Sequence, residues 1–379
     1  MQTKLVPQFH KTAETFQPGA KTLPQRYFVA PEIFTEEQLK IFGKHWVFVG
    51  HQSRLAKAGD YFLTEVADES LIVTTDQRST IRAFYNVCRH RGARLRENET
   101  GHAPLIQCPY HAWTYGLDGR LLGAPHMDDV PGFTKADYSL RPVNLGIWEG
   151  FIFVNLAKSP APLEEWFAPL TGKFSRWNLS ALRSAKRIEY DVRANWKLIF
   201  ENYSECYHCP GVHPELSKIS PYDSAENDLT EGPFLGGFMR IAKGKSLTMS
   251  GNACALGIAD KEEEVEEAKH RVFYYSTFPN MLLSLHPDYV MVHQLLPKSP
   301  DRTLILCDWF FHPDAAGVTA PGYNPDDAIE FWDMVNRQDW HVCELSQQGI
   351  SSRAYEPGPY SSRESIPAAW DEYYLRQTG

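Results

Sequence analysis

The sequence predicts an α+β protein of two domains, and three observations carry that expectation. The chain has 379 residues, enough for about two hydrophobic cores at roughly 150 residues each. From Trp46 to Leu156 it runs as short β-rich segments punctuated by Gly, Asp and Asn turns such as Leu117-Asp118-Gly119-Arg120. Beyond Leu156, helical stretches alternate with strands and long loops, the texture of an antiparallel sheet flanked by helices.

Residues 1–45 are broken by prolines and then turn helical, with Thr35-Glu36-Glu37-Gln38 reading as a capping box ahead of Leu39, Ile41 and Phe42. This segment is expected to pack on the second domain. Residues 46–156 form the all-β module, with strands over Tyr61–Val66, Ser70–Thr75, Thr80–Val87 and Phe151–Asn155. Lys158–Pro162 reads as a linker. Residues 157–379 form the second domain, with helices over Leu163–Trp177, Trp196–Cys209 and Asp326–Gly349. Its strands are Ile188–Val192, Phe273–Tyr275, Met281–Leu285, Val290–Leu295 and Thr303–Phe311. Ser220–Gly257 is rich in Gly, Ser, Asn and Asp without periodicity and reads as a lid or binding loop. The acidic run Lys261–Glu267 reads as a solvated helix face.

Hydrophobic residues at 43% and charged residues at 22% exclude a disordered or fibrous chain. A net charge of −9 argues against non-specific nucleic-acid binding, which needs a basic face. No apolar run reaches the roughly 20 residues that span a bilayer, and the first residues lack a signal peptide's apolar stretch. The expectation is a soluble cytoplasmic protein that binds neither membrane nor nucleic acid. Seven cysteines are too few and too scattered for a secreted disulfide framework. Cys88, Cys108, Cys206 and Cys209 lie near histidines. Cys254, Cys307 and Cys343 stand apart and read as small buried apolar residues.

The first cluster is Cys88-Arg89-His90, seventeen residues, then Cys108-Pro109-Tyr110-His111. Two thiolates and two imidazoles on paired loops could hold a zinc ion or a 2Fe–2S cluster. Zinc sites usually repeat Cys-x-x-Cys in each half. Here each half mixes one Cys with one His, so one iron can take Cys88 and Cys108 and the other His90 and His111. That is the Rieske arrangement. Tyr110 and Trp113 flank the second loop and are expected to shield it.

The second cluster runs from Asn195 to His213. Glu201, Glu205 and His208 are spaced to share one face of a helix, Pro210-Gly211 breaks it, and His213 can curl back toward His208. Two histidines with one carboxylate, leaving open positions opposite, form the facial triad of oxygen-activating non-haem iron sites. A zinc knot using Cys206 and Cys209 is the plainer alternative. Asn324-Pro325-Asp326-Asp327 starts a helix on which Ala328, Trp332, Val335, Val342 and Ser346 form one stripe. Asp339 lies in the middle of that stripe, whereas Glu330, Asp333 and Glu344 project elsewhere. An isolated acid on an apolar face must bind a metal or pair in an internal salt bridge, and the metal is the expectation.

With Cys-x-His…Cys-x-x-His, Glu201-Asn202-Tyr203-x-Glu205-x-x-His208-x4-His213 and Gln338-Asp339…Gln347-x-Gly349, nearly the whole chain resembles the catalytic α subunit of Rieske-type non-haem iron oxygenases. The resemblance implies an N-terminal Rieske antiparallel β-sandwich and a helix-grip catalytic domain, assembled as a head-to-tail homotrimer. It implies electrons from NAD(P)H through a separate reductase to the 2Fe–2S cluster, and then to the mononuclear Fe(II) of the neighbouring subunit. It places His208, His213 and Asp339 on that iron, Asn202 beside it, and Glu205 as the bridge to His90 or His111 of the adjacent chain.

The wording around Glu205 resembles the branch of choline, glycine-betaine and carnitine monooxygenases. That implies hydroxylation or N-demethylation of a quaternary ammonium compound, with formaldehyde as a by-product. Hydroxylation or cis-dihydroxylation of an aromatic compound is the alternative for the same site. An electron-transfer Rieske protein without oxygenase activity is the alternative class, and it would leave more than half the chain without a purpose. Phe273, Tyr274, Tyr275, Phe278 and Tyr289 supply aromatics for a cation–π cage, an arene pocket or core packing.

Overall fold

In the computed structural model, which describes residues 8–255, 269–313 and 322–379, the short runs of the first half pair into a seven-stranded antiparallel sheet. Its order is Val47–His51, Phe151–Asn155, Pro142–Trp148, Ile81–Tyr85, Glu69–Thr75, Asp60–Val66 and Thr100–His102. A three-stranded sheet of Ile106–Gln107, Thr114–Tyr115 and Leu121–Gly123 accompanies it. Ile72 and Phe84 from the large sheet share one buried core with Ile106, Tyr115 and Leu121 from the small one, and Cys88, Cys108 and Trp113 lie in that core. This is the antiparallel β-sandwich expected for the first domain.

The chain divides into a unit spanning Gln38–Thr171 and a second made of Gly172–Gly379 with the N-terminal segment up to Glu37. The stretch after Lys158 therefore belongs to the first unit rather than starting the second. Phe167 stacks on Trp148 at 4.5 Å and packs on Phe153 at 4.9 Å, which fastens it to the sheet. The expected helix Leu163–Trp177 is a series of short turns, Leu163–Trp166, Ala168–Leu170 and Ser175–Trp177. Pro169 and Gly172 interrupt it, since neither sustains a helix. The helix near the N-terminus begins at Pro31, not at Thr35. Proline suits a first helical position, and the Thr35 hydroxyl donates back to the Pro31 carbonyl at 2.9 Å.

The second unit is an eight-stranded antiparallel sheet in the order His10–Lys11, Glu226–Leu229, Phe234–Arg240, Arg271–Thr277, Met281–Leu285, Val290–Ser299, Arg302–Phe311 and Arg183–Val192. Two of these strands, Glu226–Leu229 and Phe234–Arg240, fall inside Ser220–Gly257, so part of that segment is sheet rather than loop. Gly236, at φ +141°, and Gly237 lie where an added Cβ would come within 2.0 Å of the Tyr274 and Glu226 carbonyls. Glycines in a closely packed strand leave no side-chain alternation to read. The acidic run Lys261–Glu267 lies outside the described residues.

The long helix Pro325–Ile350 lies on this sheet, where Asp333 and Asn336 reach Tyr190 and Asn336 also reaches Cys307. The helix Trp196–Tyr203 is capped by the Asn195 side chain, which accepts from Lys197 N at 3.1 Å. Asn195 N in turn donates to Gln347 Oε1 at 2.9 Å, tying the two helices together. The N-terminal segment is pinned by Glu37. Its carboxylate, fully buried, accepts from Lys197 Nζ and Tyr374 OH at 2.5 Å each and from Trp196 Nε1 at 2.9 Å. Removing one partner of such a buried ion pair typically costs about 3–5 kcal/mol.

Candidate active site and metal centres

Two equivalent loops present the first donor set. Cys88 N donates to Ala93 O and Cys108 N to Trp113 O, both at 2.8 Å. Four residues after each cysteine the chain takes a left-handed turn, at Gly92 (φ +74°) and Ala112 (φ +56°). These turns fold each histidine back toward its cysteine's end of the loop. The His90 and His111 rings lie 4.8 Å apart, His90 stacks on buried Trp113 at 4.7 Å, and Tyr110 stacks on His111 at 3.7 Å. Both sulfurs are buried.

Burial pushes the Cys108 thiol above its usual range, and backbone N–H groups of Tyr110 and His111 partly offset the effect. Tyr115 OH accepts from Arg89 N at 3.0 Å, so its own proton points to Cys88 Sγ at 3.3 Å. Nδ1 of His111 is buried without a hydrogen-bond partner among the described residues. Two buried thiols with donors aimed at them, beside an orphaned imidazole nitrogen, fit a [2Fe–2S] group held by two Cys and two His.

The second donor set is assembled differently from the sequence expectation. The helix ends at Tyr203, where the Ser204 hydroxyl donates to Phe200 O at 2.6 Å. Glu205 is thus in a turn and shares no helix face with Glu201 and His208. Its carboxylate accepts from the backbone N–H groups of Tyr207 and His208 and meets His208 Nδ1 at 2.5 Å. A carboxylate satisfied by those two N–H groups competes with helix continuation, which residue spacing does not reveal. Cys206 and Cys209 are bonded to each other. Cys209 lies close to both histidines, yet a disulfide sulfur has no thiolate to offer a metal, so the zinc knot falls away.

What remains is a triangle. His208 Nε2 and His213 Nε2 are 3.2 Å apart, and Asp339 Oδ1 is 3.2 Å from the first and 2.8 Å from the second. Three ligands at right angles around an ion, each about 2.1 Å from it, would lie about 3.0 Å from one another. The spacing suits three adjacent corners of an octahedron. His213 Nδ1 donates to Gln338 Oε1 at 2.7 Å and His208 Nδ1 faces Glu205, so both rings turn Nε2 inward. Burial alone would lower the His208 pKa, but hydrogen bonds to Asp339 and Glu205 carry it up to about 10. Hydrogen bonds from His208 and His213 hold Asp339 below its usual range despite burial. Opposed charges focused on one point suit a divalent cation, which takes the place of protons there.

This triangle opens on a cavity of about 110 Å³. Asn202 lines it, as do Tyr203, Tyr274, Trp332, Trp340 and His293. Of the five aromatics offered in the sequence for a cage or an arene pocket, only Tyr274 is in the lining. Phe273 and Tyr275 point to the opposite face of their strand, against Trp177 and Asp228 respectively. Phe278 packs on Trp196, and Tyr289 OH donates to Leu247 O. Trp332 lies on the Asp339 stripe, Trp340 follows Asp339 and Tyr203 follows Asn202 in sequence, a signal that could have found them.

A Rieske donor set followed by a His–His–carboxylate triad defines an oxygenase that joins an iron–sulfur domain to a mononuclear iron site. Residues 45–134 match the Rieske [2Fe-2S] domain and residues 179–378 match the ring hydroxylating alpha subunit (catalytic domain), and the chain belongs to that family. It is 32% identical to the glycine betaine monooxygenase oxygenase subunit of Chromohalobacter salexigens, over 90% of this chain and 82% of that one. It is 31% identical to the carnitine monooxygenase oxygenase subunit of Escherichia coli, over 89% and 86%.

Among solved structures it resembles a quaternary ammonium Rieske monooxygenase in complex with L-carnitine, at a TM-score of 0.77 and 27% identity over 99% of both chains. Naphthalene 1,2-dioxygenase from Rhodococcus, at 21% identity over 94% of both chains and a TM-score of 0.78, shares the fold. The protein is therefore an oxidoreductase, the terminal oxygenase of a Rieske system, with a [2Fe–2S] cluster and a mononuclear iron. No helix among the described residues is long and apolar enough to cross a membrane.

Proposed function

We propose that this oxygenase hydroxylates a small quaternary or N-methylated amine at a carbon next to nitrogen. The observation that carries the reading is the cavity beside the triad, small in volume and walled by Tyr203, Tyr274, Trp332 and Trp340. Aromatic faces attract a methylated ammonium by cation–π interaction, worth about 2 kcal/mol when desolvated. The names of the relatives point the same way. Hydroxylation of an N-methyl gives a carbinolamine that breaks its C–N bond, so substrate, O2, NAD(P)H and a proton become the demethylated amine, formaldehyde, water and NAD(P)+.

In this reading His208, His213 and Asp339 hold the mononuclear iron, Asn202 lies beside it, and Cys88, His90, Cys108 and His111 hold the cluster. The cluster supplies electrons and the iron activates O2. A separate flavin and iron–sulfur reductase, working in the cytoplasm where NAD(P)H is found, feeds the cluster. The chain assembles as a homotrimer in which Glu205 bridges to a cluster histidine of the next subunit.

Two tests bear on this. Cys88→Ser is expected to abolish the visible absorbance of the cluster, while Asp339→Ala keeps that absorbance and loses the mononuclear iron. Full absorbance in Cys88→Ser, or normal iron content in Asp339→Ala, refutes the ligand assignment. A panel of choline, glycine betaine, carnitine, proline betaine and simple aromatic acids, with a surrogate reductase, reads NADH use, O2 uptake and formaldehyde. Turnover of an arene with no response to any methylammonium compound refutes the substrate class.

A further inference from the structure

Three residues lining the cavity have a buried polar atom without a hydrogen-bond partner among the described residues: Asn227 Nδ2, Trp340 Nε1 and His293 Nδ1. The first two can only donate, and His293 alone of the three can offer an acceptor. His293 lies on the strand Val290–Ser299, is 1% exposed, and lines the cavity. Its Nε2 is 3.3 Å from Asn336 Oδ1, while its Nδ1 is buried with no hydrogen-bond partner among the described residues.

A chain of contacts leading away from the cavity fixes the proton on this ring. Asp333 is an acceptor only, and Tyr190 OH donates to it at 2.8 Å. The tyrosine oxygen is left to accept, and Asn336 Nδ2 lies 3.4 Å from it, with Cys307 Sγ 3.7 Å from the same nitrogen. With its amide nitrogen committed there, Asn336 turns its carbonyl oxygen to His293. An oxygen there can only accept, so Nε2 carries the proton and Nδ1 is a bare lone pair. Rotating the amide would set its oxygen against a tyrosine oxygen that has no proton to give. Burial keeps the ring neutral, its pKa lowered to about 4.

We propose that His293 is a specificity-determining residue, an acceptor that selects N-methylated substrates carrying an O–H or N–H donor over fully alkylated ones. The proposal rests on the methylammonium reading of the cavity and narrows it. A ligand without a donor leaves Nδ1 desolvated and unpaired, and a ligand carboxylate placed there meets a lone pair. Sites built around a buried hydrogen bond reject the analogue that lacks it by roughly tenfold or more.

The test uses matched ligands on the metal-loaded enzyme without reductant, with dissociation constants read by calorimetry. One pair is choline and its O-methyl ether, and the other is N,N-dimethylglycine and glycine betaine. The donor-bearing member of each pair is expected to bind at least tenfold tighter, and His293→Leu to bring the ratio near one. If that variant does not fold, Tyr190→Phe decides. It leaves the cavity wall intact but frees the Asn336 amide to rotate, so the ratio should narrow. Equal binding within the pairs, or a ratio unchanged in His293→Leu or in Tyr190→Phe where that variant decides, overturns the proposal and leaves the methylammonium reading standing. Failure of all four compounds to bind removes both.

Discussion

His213 is held at both ends of its ring. Gln338 Oε1, an acceptor, sits 2.7 Å from Nδ1, so that nitrogen carries the proton and Nε2 turns its lone pair toward Asp339 Oδ1 and His208 Nε2. A ring fixed this way loses little freedom on binding a metal. Gln338→Leu should therefore weaken iron binding by about 10–100-fold, read by iron titration, with the cluster absorbance unaltered. Unchanged affinity would mean that buried packing alone orients the ring. Asp339 was legible in the sequence because an acid stranded on an apolar stripe demands a partner. Tyr115 and His293 were not, and Gln338 figured only in a motif without a role, because their importance lies in which atom of another segment comes to rest beside them.

At the scale of elements, the helix Trp196–Tyr203 meets the C-terminal helix Ser365–Thr378 through buried acids. Burial raises the Asp371 pKa from 3.8 to about 7, and Glu201 beside it is raised as well; Tyr360 OH donates to Asp371 at 2.8 Å. The folded chain thus keeps a proton that the unfolded chain releases near pH 4. Because the native state holds this proton, the contribution of Asp371 to stability falls as pH rises from about 4 to about 7, by at most about 1.4 kcal/mol per pH unit. Asp371→Asn should flatten that slope. Urea midpoints between pH 4.5 and 7.5 check it, and parallel curves for wild type and variant would refute the assignment. Element types were mostly readable from period and punctuation, and Asn324-Pro325 marked the start of the long helix correctly. Boundaries failed where side chains intervened. Ser204 and Glu205 end a helix that spacing alone extends to Cys209, and two glycines hide a core strand.

For the whole molecule the question is the path of the electron. In the proposed homotrimer, electrons pass from the cluster of one subunit to the iron of the next. Head-to-tail rings give every subunit one donor neighbour and one acceptor neighbour. Cys88→Ser chains keep the iron site without a cluster, Asp339→Ala chains keep the cluster without iron, and neither homo-oligomer should turn over. In randomly mixed rings made by co-expression, an iron-bearing chain follows a cluster-bearing one with a probability of one half times one half. Activity per chain should return to about a quarter of wild type if electrons cross the interface in such a ring. Glu205→Gln on the iron-bearing chain should then depress the recovered activity, whereas on the iron-less chain it should not, since only the receiving site needs the bridge. Strict inactivity of the mixed rings would place the route within one chain and remove Glu205 from it.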